Sequence, residues 1–217
     1  MALSTYSELL STVANYLNRD DLTTLIPTFI TLTENRLNRE LRVRANMVRA
    51  ITTTTAGQAF YDFPSDLIEL RNITYDNNSQ SHALRYLSPE SVSREYGTAV
   101  SGQPRAYTNL GNDLKLVPSP DAAYSISINY YSQLRSLSDS VTTNDVLTQY
   151  PSLYLFGACL EGAIYLNDTD QTNRFGSVFQ KALDDVQRAE EAARYSGTVM
   201  TTSIQGDPGA MIRRGAY

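Results

Sequence analysis

At 217 residues the chain can bury a substantial core, and one domain with a lobe inserted in it fits that length best. Hydrophobic residues at 41% and aromatics at 10%, with 15 Tyr and no Trp, exclude a disordered chain. The net charge of −5 argues against tight binding along a nucleic-acid backbone, and one Cys with one His excludes an internal disulfide and an ordinary Cys/His zinc site.

Tyr6, Leu9, Leu10, Val13, Ala14 and Leu17 recur at helical spacing behind Ser4 or Thr5 as cap, so an amphipathic helix is expected over Thr5 to Asn18. Ile26 is biased away from helix by the following proline, whereas Pro27 suits a first helical position, so the second long helix is expected to start there. Its stripe is Phe29, Ile30, Thr33, Leu37 and Leu41.

From Val48 the texture turns to β-branched runs, opening with Ile51 to Thr55 and a turn at Ala56 and Gly57. Further strands are expected at Leu67 to Tyr75, Ala83 to Leu87, Arg105 to Leu110, Leu114 to Val117 and Ala123 to Tyr131, with a hairpin turn at Leu110 to Asp113. In the last, Tyr124, Ile126, Ile128 and Tyr130 alternate with Ser125, Ser127 and Asn129, whereas Leu67 to Tyr75 shifts phase, the mark of a bulge or of a strand covered on both faces. A short helix is expected at Pro89 to Tyr96.

After a polar loop at Ser136 to Asp145, Pro151 opens a helix that is apolar all round and so should be buried. Its Gly157, Ala158, Gly162 and Ala163 imply close approach by another helix. Thr169 or Asp170 then caps a helix reaching about Tyr195, with Phe175, Val178, Phe179, Ala182, Leu183, Val186 and Ala189 on its apolar side. The connection is short enough to require an antiparallel hairpin.

The fold class is therefore α+β: an antiparallel long-helix bundle from residues 1–47 and 136–196, an inserted antiparallel β-rich lobe at 48–135, and an extended C-terminal tail at 197–217. No segment approaches the about 20 consecutive apolar residues of a membrane helix, so no membrane partner is expected. Met1 to Thr5 lacks the features of a signal peptide, so synthesis is expected in the cytosol.

Cys159, mid-helix and without a fixed His or Asp partner, reads as a structural thiol rather than a nucleophile, and His82 as a surface turn residue rather than a ligand. Asp184, Asp185, Glu190 and Glu191 read as a solvated face laced to Arg188 and Arg194. No phosphate loop, nucleophile elbow or His-rich metal motif is present, so no catalytic residue, metal or cofactor is expected. The basic run Arg36, Arg39, Arg42, Arg44 and Arg49 is either an exposed face or a surface for an acidic partner or passing DNA, with Arg36, Arg39 and Arg42 as inter-subunit or channel-facing candidates.

Four blocks in register look familiar together. They are Tyr6-Ser7-Glu8-Leu9-Leu10 with Leu17-Asn18-Arg19; Leu25-Ile26-Pro27-Thr28-Phe29-Ile30 with Glu34-Asn35-Arg36-Leu37-Asn38-Arg39-Glu40-Leu41; Leu67-Ile68-Glu69-Leu70-Arg71 with Leu84-Arg85-Tyr86-Leu87-Ser88-Pro89; and Leu116-Val117-Pro118-Ser119-Pro120-Asp121 leading to Tyr130-Tyr131. Over residues 5–195 this resembles the head-to-tail adaptor family of short-tailed bacteriophages, also called head completion or tubular tail proteins. The resemblance implies a non-enzymatic virion protein at the head-tail junction. It implies a homo-oligomeric ring of twelve copies under the portal protein, extending the DNA channel towards the tail nozzle protein. Double-stranded DNA would pass without sequence-specific binding, and tail fibres or spikes are further candidate partners.

The tail from Gly197 matches none of these blocks. Its spaced anchors Met200, Ile204, Met211, Ile212, Arg213, Arg214 and Tyr217 suit docking that orders only on assembly, so they are expected to meet the portal; Arg213 and Arg214 equally fit simple solubility. Two rival readings remain: a carbohydrate-binding module stacking sugars on Tyr124, Tyr130 and Tyr131, and an enzyme with a diffuse carboxylate site.

Overall fold

The computed structural model describes residues 3–19, 21–77, 80–97 and 100–195. Thr5 caps α1 (Tyr6–Leu17) through a reciprocal box: its hydroxyl accepts from the Glu8 N–H at 3.3 Å, and the Glu8 carboxylate accepts from the Thr5 N–H at 3.0 Å. Asn18 ends the helix in the left-handed region. α2 (Ile26–Glu40) begins one residue before Pro27, which occupies its first turn. A 3-10 turn at Arg44–Asn46 then leads into the sheets.

The strands are β1 (Met47–Thr53), β2 (Phe60–Asp62), β3 (Leu67–Asn77), β4 (Gln80–Ala83) and β5 (Arg85–Tyr86); after α3 (Pro89–Tyr96) come β6 (Ala106–Leu110), β7 (Asp113–Val117) and β8 (Ser125–Ser132). They form two four-stranded sheets, ordered β1-β8-β3-β4 and β2-β7-β6-β5. Two expectations need correction here. The run Ala83 to Leu87 is not one strand: the Leu84 N–H bonds back to Ile73 in the first sheet, while the Arg85 N–H bonds to Arg105 in the second. Nor is the lobe wholly antiparallel, because β5 and β6 pair in parallel. Strand β2, only three residues long, went unread.

The phase shift in β3 is a bulge, with register slipping between Leu67 and Glu69 and between Leu70 and Asn72 against β8. The alternation in β8 is real, but the strand is central and covered on its polar face as well. Ser127 there accepts from the Arg49 guanidinium at 2.8 and 3.2 Å, and Arg71 lies over the Tyr131 ring at 5.8 Å. Ile73, Tyr75, Ile126, Ile128 and Tyr130 of the first sheet meet Tyr107, Leu114 and Leu116 of the second in one core. Each such buried side chain contributes about 1.5–3 kcal/mol.

The second core belongs to the helices and joins α1 and α2 to α4 (Asp145–Gln149), α5 (Pro151–Tyr165) and α6 (Thr169–Tyr195). The short α4 lay hidden behind the polar loop; Asn144 caps it by accepting from the Leu147 N–H at 2.8 Å. At α6 the cap is neither Thr169 nor Asp170 but Asp168, whose carboxylate accepts from the Gln171 N–H at 3.0 Å. The described residues are mixed α+β, 45% helical and 25% strand.

The small residues of α5 admit its neighbours. A Cβ on Gly157 would lie 2.3 Å from Thr33 Cγ2 of α2 and 3.2 Å from Phe179 of α6. One on Gly162 would lie 2.7 Å from Leu17 of α1. Ile164, expected on a buried face, is instead exposed along with Tyr165, while Gly162 and Ala163 of the same turn stay buried.

Candidate functional site

The five arginines of the basic run separate once folded. Arg36, partly buried, donates to Glu161 of α5 and lies over the Phe179 ring at 5.9 Å. Arg42 lies beyond the end of α2 rather than on its outer face. It turns back to donate to the carbonyls of Asn38 and Leu41 at 2.9 Å each, while its Nε reaches Glu69 of β3 at 2.9 Å. It thus satisfies carbonyls that a helix end leaves open and ties the helices to the first sheet. Arg49 is held by Ser127, with Asp76 at 4.0 Å. Arg39 alone is exposed on α2 with no ion pair among the described residues.

The acidic face divides as well. Asp184 accepts from Gln180 at 2.9 Å and Asp185 pairs with Arg188 at 3.6 Å, as a laced helix surface should. Glu190 is different, because it is buried. Its carboxylate accepts from the Arg44 N–H at 3.0 Å, the Arg44 Nε at 3.2 Å and the Tyr150 hydroxyl at 3.0 Å. Burial pushes this carboxyl up, but the bonds from Arg44 and Tyr150 outweigh it and hold it below the ordinary range. Its spacing from Leu183 and Val186 put it on the apolar stripe; the exposed position on that side is Ala189. The side chain of Arg194 lies outside the described residues.

A second buried carboxylate, Glu34, had no reading in the sequence. It accepts from the Leu137 N–H at 2.8 Å and the Tyr154 hydroxyl at 3.4 Å, and Asn144 donates to that same hydroxyl at 2.6 Å. Burial pushes Glu34 up from the ordinary carboxylate range, against the bonds it accepts. The network fastens the segment between the lobe and α4 onto α2. Glu34, Tyr154 and Asn144 are all buried, and their bonds join separate segments, so the network's role is positional.

Cys159 is fully buried and its thiol is pushed up to about 12 by burial, which leaves negligible thiolate at neutral pH. His82 sits in β4 rather than in a turn, exposed, with its ring stacked on Tyr75 at 5.0 Å. Tyr130 and Tyr131 are buried, so they present no ring face to a sugar. Among the described residues no group of three or more His, Cys, Asp or Glu comes together as a metal site, and no helix is long and apolar enough to cross a membrane.

What the folded surface does offer is apolar. Tyr16 of α1, Leu32 of α2, Ile164 and Tyr165 of α5 and Val178 of α6 all project from the helices. Tyr165 packs at a tilt against the buried Phe29, and Tyr16 edge-on against Phe156, so both rings are held rather than loose. In the lobe, Met47, Val48 and Ile51 line the outer strand β1. The anchors Met200, Ile204, Met211, Ile212, Arg213, Arg214 and Tyr217 lie outside the described residues.

A protein-family model described as SU10 adaptor protein matches residues 4–202, spanning both the helices and the two sheets. Comparison with curated proteins finds no match.

Proposed function

The chain belongs to the SU10 adaptor protein family of phage head-to-tail adaptors, and from that premise we propose that it closes into a ring of twelve copies joining the portal to the tail nozzle of a short-tailed virion and lengthening the DNA channel. Membership makes it a structural virion protein that associates with other virion components. The observation that carries the finer reading is the family match running unbroken through helices and lobe, so that the whole folded unit is the adaptor module.

A closed ring needs two different faces that repeat around an axis. The projecting Tyr16, Leu32, Tyr165 and Val178 on the helices are side chains of the kind such faces bury. Of the three candidate arginines, Arg39 is the one still available to a neighbour or to the channel wall, since Arg36 and Arg42 hold partners within the chain. The net charge of −5 fits a channel that lets DNA slide instead of gripping it. Residues 197–217, with their anchors Met200, Ile204, Met211, Ile212, Arg213, Arg214 and Tyr217, dock on the portal ring.

Ending the chain at Gly197 tests this. Attachment to portal rings, read by negative-stain imaging, should disappear while the circular dichroism of the subunit is retained; attachment at the full-length level would reject the docking assignment.

A further inference from the structure

The two sheets of the lobe pack through their inner faces, so their outer faces look in opposite directions. On β8, Ile126, Ile128 and Tyr130 point inward, and the strand period therefore sets Ser125, Ser127, Asn129 and Tyr131 outward with their partners on β1 and β3. The charges on this side are Arg49, Glu69, Arg71 and Asp76 of the strands, and Arg42, which reaches in from beyond α2. Arg42 meets Glu69 at 2.9 Å and Arg49 lies 4.0 Å from Asp76, so Arg71 is the charge in excess. The bulge between Leu70 and Asn72 turns Arg71 over the Tyr131 ring, where it bounds an open hollow of about 450 Å3 with Met47, Asn72 and Asn129. Arg71 is exposed and in no ion pair among the described residues, and Met47 and Ile51 of the same face are exposed as well.

The second sheet carries the opposite sign. Leu114 and Leu116 of β7 point inward, so Asp113 and Lys115 point outward with their partners Asp62 and Phe60 of β2. Asp62 and Asp113 stand directly opposite each other, both exposed and neither in an ion pair among the described residues. Like charges so placed repel across a strand pair. Lys115 lies over the Phe60 ring at 5.5 Å, and Arg85 is paired with Glu95 of α3, so one negative charge is in excess here. Helix α3 covers the end of this face at Ala106 and Val117. The end at Asp113 stays open, with Phe60 and Leu110 exposed beside the two carboxylates.

We infer that the outer face of the first sheet of one copy docks on the open end of the second sheet of the next copy, with Arg71 reaching Asp62 and Asp113 while Met47 and Ile51 meet Phe60 and Leu110. A guanidinium between the facing carboxylates offsets their repulsion and gives Arg71 the acceptors it lacks. The occupant is a second copy because one chain carries both halves of the complementary pair, on opposite sides of a single lobe. A contact between two different faces repeats in one direction and does not stop at a pair. This rests on the ring proposed above and adds the lobe to it as a contact beside the helices.

Chains mixed with portal rings and imaged by negative stain test it, using Arg71→Glu and the Asp62→Arg/Asp113→Arg variant. All three sites are exposed, so the circular dichroism of each isolated chain should match wild type. Either variant alone sets like charges against each other at every contact, and its yield of complete rings at low salt should fall at least about tenfold. An equal mixture of the two should recover most of the loss, because alternating copies again place opposite charges at every contact. The neutral Arg71→Gln should show a smaller loss, which guards against a misfolded reversal. Wild-type ring yield from Arg71→Glu or from Arg71→Gln overturns the inference and leaves the ring standing. Loss in both reversed chains without recovery on mixing overturns it too, since the two faces would then meet other proteins. Absence of rings from the wild-type chain overturns the ring and this contact together.

Discussion

Glu190 of α6 holds Arg44 twice, accepting from its backbone N–H at 3.0 Å and from its Nε at 3.2 Å, so the last helix grips the chain where it leaves the helices for the sheets. The carboxyl is held below its ordinary range, so its contribution to stability is present above the unfolded-state pKa and is lost as pH falls through the folded value. Glu190→Ala should cost about 1.5–3 kcal/mol at neutral pH, the range for hydrogen bonds to a charged group. Thermal unfolding from neutral to acid pH checks it: the gap between wild type and variant should shrink towards acid, and a constant gap would sink the account.

The glycines of α5 predict an order of tolerance. Gly157→Ala drives a Cβ to 2.3 Å from Thr33 Cγ2, and Thr33 is pinned by its bond to the Phe29 carbonyl at 2.8 Å, so it has nowhere to turn. Overpacking of this kind costs about 1–3 kcal/mol. Gly162→Ala meets the more pliant tip of Leu17 at 2.7 Å and should cost less. Gly176→Ala meets only Leu160 at 3.7 Å and should gain up to about 1 kcal/mol from helix propensity. Melting temperatures should fall in the order Gly176→Ala, Gly162→Ala, Gly157→Ala, at about 2–4 °C for each kcal/mol in a chain of this size.

Helices α1, α2 and α6 were legible because each buries one stripe and shows the other to water, which a period of 3.6 records directly. The need for glycine at 157 and 162 was legible because α5 is apolar all round, and small residues in a buried helix mark close neighbours. The strands were readable singly but their partners were not. Nothing local to Ala83 to Leu87 marks Leu84 as the point where the chain changes sheets, because that is settled by Ile73 and Arg105, distant in sequence. Glu190 escaped because residue type outweighed spacing: a carboxylate among charges reads as solvated, although its place after Leu183 and Val186 was that of a buried residue. That Arg42 lies past the helix was not legible either, because helix ends are the least certain feature of a pattern, and the chain leaves α2 at Glu40.

Glu34 predicts the opposite pH dependence from Glu190. Its carboxyl is raised by burial, so the stability it allows is full below the unfolded-state pKa and declines as pH rises through the folded value. Glu34→Gln keeps an acceptor for the Leu137 N–H and removes the buried charge. Its melting temperature relative to wild type should therefore rise from acid to neutral pH. A difference that stays flat across that range would remove Glu34 from the titration.

The Cys159 thiol, buried and pushed up to about 12, should resist alkylation in the folded subunit. Labelling followed along a denaturant series should track unfolding, with none before the transition. Labelling of the native protein at the rate of a free thiol would place Cys159 on a mobile surface instead.

The arginines of α2 predict a separation of folding from assembly. Arg36 donates to Glu161, which is only 12% exposed, so Arg36→Glu sets two carboxylates against each other in partial burial and should lower the melting temperature of the isolated subunit. Arg39 is exposed and unpaired among the described residues, so Arg39→Glu should leave subunit stability within about 0.5 kcal/mol of wild type. A neighbour or channel role for Arg39 would nevertheless make that reversal of charge visible in assembly. Subunits carrying Arg39→Glu, mixed with portal and imaged, should form fewer or incomplete rings than wild type, with the defect easing as salt screens the charge. Complete rings in normal yield at low salt would place Arg39 on an outer surface that meets nothing.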